Sequence, residues 1–77
     1  QTALRFALPG PSNASLSVVD AAGRLVRRFE VSSATGGVQS VSWDGRDASG
    51  RPVGSGIYFV KLSAPGREES RPIVLAR

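Results

Sequence analysis

Turn-forming residues recur along this chain every several positions, and the segments they bound alternate apolar with polar side chains at period two. No segment holds an apolar stripe at helical spacing for three turns, so the chain is committed to short strands joined by tight turns. The first run, "TALRFAL", sets Leu4, Phe6 and Leu8 against Ala3, Arg5 and Ala7, and Pro9, Gly10 and Pro11 stop it. In "ASLSVVD" Leu16 and Val18 share a face opposite Ser15 and Ser17, and "AAGR" then reverses the chain, with Gly23 free to take a positive φ. "LVRRFEV" returns as a hairpin partner with Leu25, Phe29 and Val31 in phase. Arg27 breaks that phase, which suits a position near an edge where its stem covers apolar surface and its head reaches water.

"SSATGG", a small polar loop over residues 32–37, leads to "VQSVSW", whose inward members are Val41 and Trp43. "GIYFVKLSA" is the strongest β run in the chain, and "PGREES" turns it into a last strand, "RPIVLAR". The expected architecture is a small antiparallel all-β sandwich of six to seven strands. Its expected core is Leu4, Phe6, Leu16, Val18, Phe29, Trp43, Tyr58, Val60 and Leu62.

Between the fourth and fifth strands lies "WDGRDASGRPVGSGIYFVKL", which packs an aromatic, two acids and four glycines into a short span. Read as a cation site, it offers Asp44, Asp47 and Ser49 as oxygen ligands. Calcium ordinarily takes six to eight oxygens, and the spacing departs from the EF-hand loop because Gly45 and Arg46 follow Asp44 and no glutamate closes the site. Read as a turn, every residue type has a use. Aspartates accept bonds from amides two residues on, Gly45, Gly50 and Gly56 allow unusual backbone angles, and Trp43 anchors the strand end with its indole N–H bonded. The second reading is preferred, with Asp20, Gly23, Trp43, Asp44, Gly45, Gly50, Gly56 and Tyr58 as structural residues.

With 77 residues the chain has room for one domain, residues 1–77, and for no large enclosed cavity. Histidine and cysteine are both absent, which removes the commonest general base, thiolate metal sites and disulfides. A non-catalytic module without cofactor or metal is expected. The net charge of +4 comes from ten Lys and Arg against six acids. Its arginines are scattered rather than gathered into a stripe with aromatics beside it, so nucleic acid is not an expected partner. No apolar stretch is long enough for a membrane helix. The missing initial methionine reads as an excerpt of a longer chain.

The segments "TALRFALPG", "LSVVDAAGRLVRRF", "VSWDGRDASGRPVGSGIYFVKL" and "RPIVLAR" together resemble a family of bacterial C-terminal domains. The chain is similar to the immunoglobulin-like domain of the FlgD-type flagellar hook-capping protein and, more closely, to the C-terminal sorting domain of type IX secretion. The specific parts are D-x-x-G-R-x-V at residues 20–26, the W-D-G-x-D-x-x-G-x-x-V-x-S-G-x-Y block at residues 43–58, and the apolar-basic terminal strand. The resemblance implies an immunoglobulin-like sandwich at the end of a secreted or cell-surface bacterial protein, recognised by export machinery or attached to cell-surface components. A structural subunit of an extracellular filament or cap, polymerising through strand edges, is the alternative. In either case the expected partner-binding residues are Lys61, Arg71, Pro72, Ile73, Val74, Leu75 and Arg77.

Overall fold

A computed structural model describes residues 2–8, 10–33 and 35–76, with the side chain of Ser33 left out. Six strands follow one another: β1 (Thr2–Leu8), β2 (Ser12–Val19), β3 (Leu25–Ser33), β4 (Gly37–Trp43), β5 (Gly56–Ala64) and β6 (Arg67–Leu75). They form two antiparallel sheets, β1-β4 and β3-β2-β5-β6, as the alternating pattern predicts. β2 and β3 pair as the expected hairpin, and so do β5 and β6.

The inward residues of the two sheets meet in one core of Leu4, Leu8, Ala14, Leu16, Val18, Trp43, Tyr58, Leu62 and Leu75. Phe6, Phe29 and Val60 pack on it but stay half-buried. Phe6 and Val60 border an open groove between β1 and β6, and Phe29 lies on the edge strand β3, so each is only partly covered. Trp43 is fully buried and stands edge-on to Tyr58, with ring centroids 5.5 Å apart and planes at 74°. That arrangement sets the ring edge of one against the π face of the other.

Four sequence expectations need correction. Leu25 is 60% exposed, and Val26 packs on the core in its place. A bulge is the cause: Val18 pairs with Arg27 but Val19 with Leu25, so Val26 is an extra residue and the inward phase shifts by one. The last strand begins at Arg67 rather than Arg71, because Pro65 and Gly66 alone make the turn and Ala64 already pairs with Arg67. The loop expected over residues 32–37 is shorter, since Ser32 and Ser33 belong to β3 and Gly37 starts β4. Gly36 is no mere spacer either. It takes φ 77° and lies so close to Gly10 that a side-chain carbon there would sit 2.7 Å from the Gly10 Cα.

Arg27 behaves as its position suggests. Its guanidinium lies over the Phe29 ring at 5.0 Å and reaches the Asp44 carboxylate at 3.5 Å, so the charge is carried to the rim while the stem covers the core.

Trp43→Ala should destabilise the domain by about 3–5 kcal/mol, the range for emptying a buried large aromatic site. Urea unfolding of the two proteins measures it, and a loss below about 1 kcal/mol would mean that the ring is not the inter-sheet anchor.

Candidate functional site: the paired aspartate turns

Twelve residues, 44–55, carry the chain from Trp43 at the end of β4 in one sheet to Gly56 at the start of β5 in the other. A connection of that length without its own structure is uncommon in a small domain. This one is internally bonded. The Asp44 carboxylate accepts the Arg46 N–H at 3.0 Å, and Arg46 and Pro52 form a bridge across the loop. The Val53 N–H reaches the Gly45 carbonyl at 3.0 Å, and the Arg46 guanidinium reaches the Gly50 carbonyl at 2.9 Å. The indole N–H of Trp43 donates to the Arg46 carbonyl at 3.0 Å, while the Tyr58 hydroxyl donates to the Gly54 carbonyl at 2.6 Å. Both core aromatics therefore tie the crossover to the ring pair beneath it.

At the centre of the crossover is Asp47. One of its oxygens, Oδ1, accepts the N–H of Ser49 at 3.0 Å, the Ser49 hydroxyl at 2.8 Å and the N–H of Arg51 at 3.0 Å. The backbone closes the same five residues, with the Asp47 N–H on the Arg51 carbonyl and the Gly50 N–H on the Asp47 carbonyl. Asp20 repeats the design in the β2–β3 turn. Its Oδ1 accepts Ala22 N–H at 3.0 Å and Arg24 N–H at 2.9 Å, the Asp20 N–H meets the Arg24 carbonyl, and the Gly23 N–H meets the Asp20 carbonyl.

The two turns are copies of one sequence, "DAAGRLV" and "DASGRPV". Each places glycine fourth at positive φ, 86° at Gly23 and 88° at Gly50, where the chain must turn back on itself. Each ends in a valine, Val26 and Val53, packed on the core. This internal duplication went unread because the two copies serve different connections and recur at no fixed multiple. A comparison of the chain with itself for D-A-x-G-R-x-V finds it. The copies also touch: Val26, left without a ladder partner by the bulge, gives its carbonyl to the Ala48 N–H at 3.2 Å.

Hydrogen bonding fixes the electrostatics of both acids. The Arg24 N–H is the main cause that holds the Asp20 carboxyl below its ordinary 3.8, helped by the Arg24 guanidinium and the Ala22 N–H. For Asp47 the Ser49 hydroxyl leads, followed by the Arg51 N–H. Of the oxygens offered for calcium, Oδ1 of Asp44, Oδ1 of Asp47 and the Ser49 hydroxyl each make a bond within the turn itself. Ser49 donates its hydroxyl proton to Asp47, and no group of three acids gathers among the described residues. Gly45, at φ 75°, is buried beneath the crossover, and Gly56, at φ 154°, opens β5.

The model for the FlgD Ig-like domain matches residues 1–68. The chain belongs to that family. Two curated relatives, the basal-body rod modification proteins FlgD of Salmonella typhimurium and Salmonella typhi, are each 33% identical to it over 48 residues. That match covers 62% of the chain and 21% of the relative, so the chain spans about a fifth of their length. No solved structure matches the chain significantly.

The expected partner-binding residues do not share one surface. Lys61 lies on the outer face of β5, and Pro72 and Val74 on the outer face of β6, while Arg71, Ile73 and Leu75 turn to the opposite side. Leu75 is only 3% exposed and belongs to the core, so its side chain is closed to a partner. Arg77 lies outside the described residues. β6 is an edge strand, where Pro72 can sit without costing a ladder bond.

Because both carboxyls are depressed in the folded state, the unfolded chain takes up their protons first as the pH falls. Their contribution is complete well above 3.8 and is lost as the pH drops through the lower folded values. Urea midpoints measured between pH 7 and pH 2 should fall in acid, and the fall should be shallower in the Asp20→Asn, Asp47→Asn double variant. An equally steep fall in that variant would contradict the turn electrostatics.

Proposed function

We propose that this domain is a non-catalytic structural module of an extracellular bacterial assembly, and that it makes its contact along the free margin of β6. Membership of the FlgD Ig-like family carries the reading, since the curated relatives are basal-body rod modification proteins. The polar groups of the longest loop are spent on its own turns, which favours a scaffold over a site of chemistry. Among the described residues no helix is long and apolar enough to cross a membrane.

The two edges of the large sheet differ in a way that favours β6. Near its start β3 is covered by the crossover through the Val26–Ala48 bond. β6 has no such cover. Its core-side positions carry Arg67, Glu69 and Arg71, paired opposite Ala64, Leu62 and Val60, beyond the reach of the two-stranded sheet. A groove of about 290 Å³ runs there between β1 and β6, floored by Leu16 and Val60 and rimmed by Arg5, Glu69 and Arg71. Inward charges on an edge strand discourage indiscriminate strand pairing. A partner is therefore selected by charge and shape along this margin.

Export recognition with cell-surface attachment, the role implied by the resemblance to sorting domains, is the second reading. The same exposed terminal strand favours it. Arg71→Glu in the full parent protein separates the two, because the side chain is exposed and its loss leaves the core intact. The structural reading expects export unchanged and assembly lost, and the sorting reading expects cargo retained inside the cell. A folded Arg71→Glu protein that is exported and assembles normally would overturn the β6 proposal.

A further inference from the structure

The face of the four-stranded sheet that turns away from the core divides sharply in two. Cross-strand register lines up Leu25, Val19, Phe59 and Pro72 in one row, and Ile57 with Val74 in the next. Leu25, Ile57 and Val74 are 60%, 56% and 70% exposed. Val19 at the middle of the band is itself covered, at 7% exposure, so the open apolar surface lies at Leu25 on one side and at Ile57 and Val74 on the other. The solvent face of an antiparallel sheet is ordinarily polar, and these exposed residues are a departure that asks for a partner. On the other side of the band the register sets Arg28, Ser17, Lys61 and Ser70 in one row, then Glu30, Ser15, Ser63 and Glu68. Serines leave a shallow trough there, walled by Arg28 and Lys61. Arg28 is held by Glu30 at 3.1 Å, whereas the Lys61 ammonium has no hydrogen bond or ion pair with any described residue.

We propose that this face docks an amphipathic segment of a partner protein, which lays apolar side chains on the band and sets a carboxylate against Lys61. Charge selects that occupant. An acidic segment meets a free ammonium on a chain of net charge +4. A second copy is a poor complement, because it brings the same net charge and has already committed five of its six acids to bonds of its own, leaving only Glu68. An anionic membrane is a poorer one, since its charge spreads over the whole face and meets Glu30 and Glu68 as well as Lys61, whereas a segment sets a single carboxylate at Lys61. This surface lies on the opposite side of the sheet from the β6 groove, and its occupancy is independent of the contact proposed there.

The test is a nuclear magnetic resonance titration of the chain with two synthetic 14-residue peptides, both with leucines at helical spacing, one flanked by glutamates and one by lysines. The acidic peptide should move the amides of Ile57, Phe59, Lys61 and Val74, and the basic one should not. Lys61→Glu and Val74→Ser should each weaken binding at least fivefold, added salt should weaken it further, and Arg71→Glu should leave it unchanged. All three side chains are exposed, and circular dichroism confirms that the variants keep the fold. The proposal is overturned if the acidic peptide moves none of these amides, or if Lys61→Glu and Val74→Ser leave the affinity unchanged. It is equally overturned if the same amides shift with protein concentration alone, which marks a second copy, or respond only to phosphatidylcholine–phosphatidylglycerol vesicles.

Discussion

Among the described residues no ladder joins β1-β4 to β3-β2-β5-β6, so side-chain packing is the main tie between the two sheets, with the Arg27–Asp44 ion pair and the Ala48–Val26 bond added at one rim. Trp43 is where that packing is concentrated. It ends β4, is fully buried, and meets Tyr58 at the beginning of β5 in the other sheet. In a chain this small, burying the indole is a large share of the available hydrophobic stabilisation. The ring also has to satisfy its N–H, and the nearest carbonyl is that of Arg46 in the crossover. Packing in the core thereby dictates where the connecting loop begins its turn.

From that point the loop solves a backbone problem with carboxylates. Twelve residues crossing between sheets carry peptide N–H groups outside any strand ladder, and Asp44 and Asp47 accept several of them locally. The second use of the motif at Asp20 does the same for the β2–β3 turn, and the bulge at Val26 supplies the carbonyl through which the two turns meet. Ionised carboxylates hold several donors better than neutral acceptors do, which is why the same interactions lower the pKa of both aspartates.

Much of this was legible in the sequence. Period-two alternation gave the strands, and the spacing of Asp, Gly and Arg gave the turns. Three features were not legible, each for a physical reason. The bulge that exchanges Leu25 for Val26 leaves no mark in a run where both residues are apolar. The polar stretch "REES" reads as loop because its inward positions are charged, yet it pairs in full on a strand whose core side the smaller sheet fails to cover. The approach of Gly36 to Gly10 joins residues 26 positions apart, and only the packed loops reveal it. Register also divides the expected partner residues between two faces. Consecutive residues of β6 face opposite ways, so a contiguous segment could not be one binding face.

The polar groups of the crossover are directed to its own turns, and the β6 margin and the far face of the large sheet are the surfaces proposed for contact. The central physical claim is that the crossover is a rigid, self-bonded brace anchored on Trp43. Native-state amide hydrogen exchange tests it most directly. The N–H groups of Gly50, Arg51 and Val53 should exchange nearly as slowly as those of β2 and β5, and Trp43→Phe, which deletes the indole donor, should speed the crossover amides more than those of β2. Crossover amides that exchange at the rate of an unstructured peptide in the unaltered protein would contradict it.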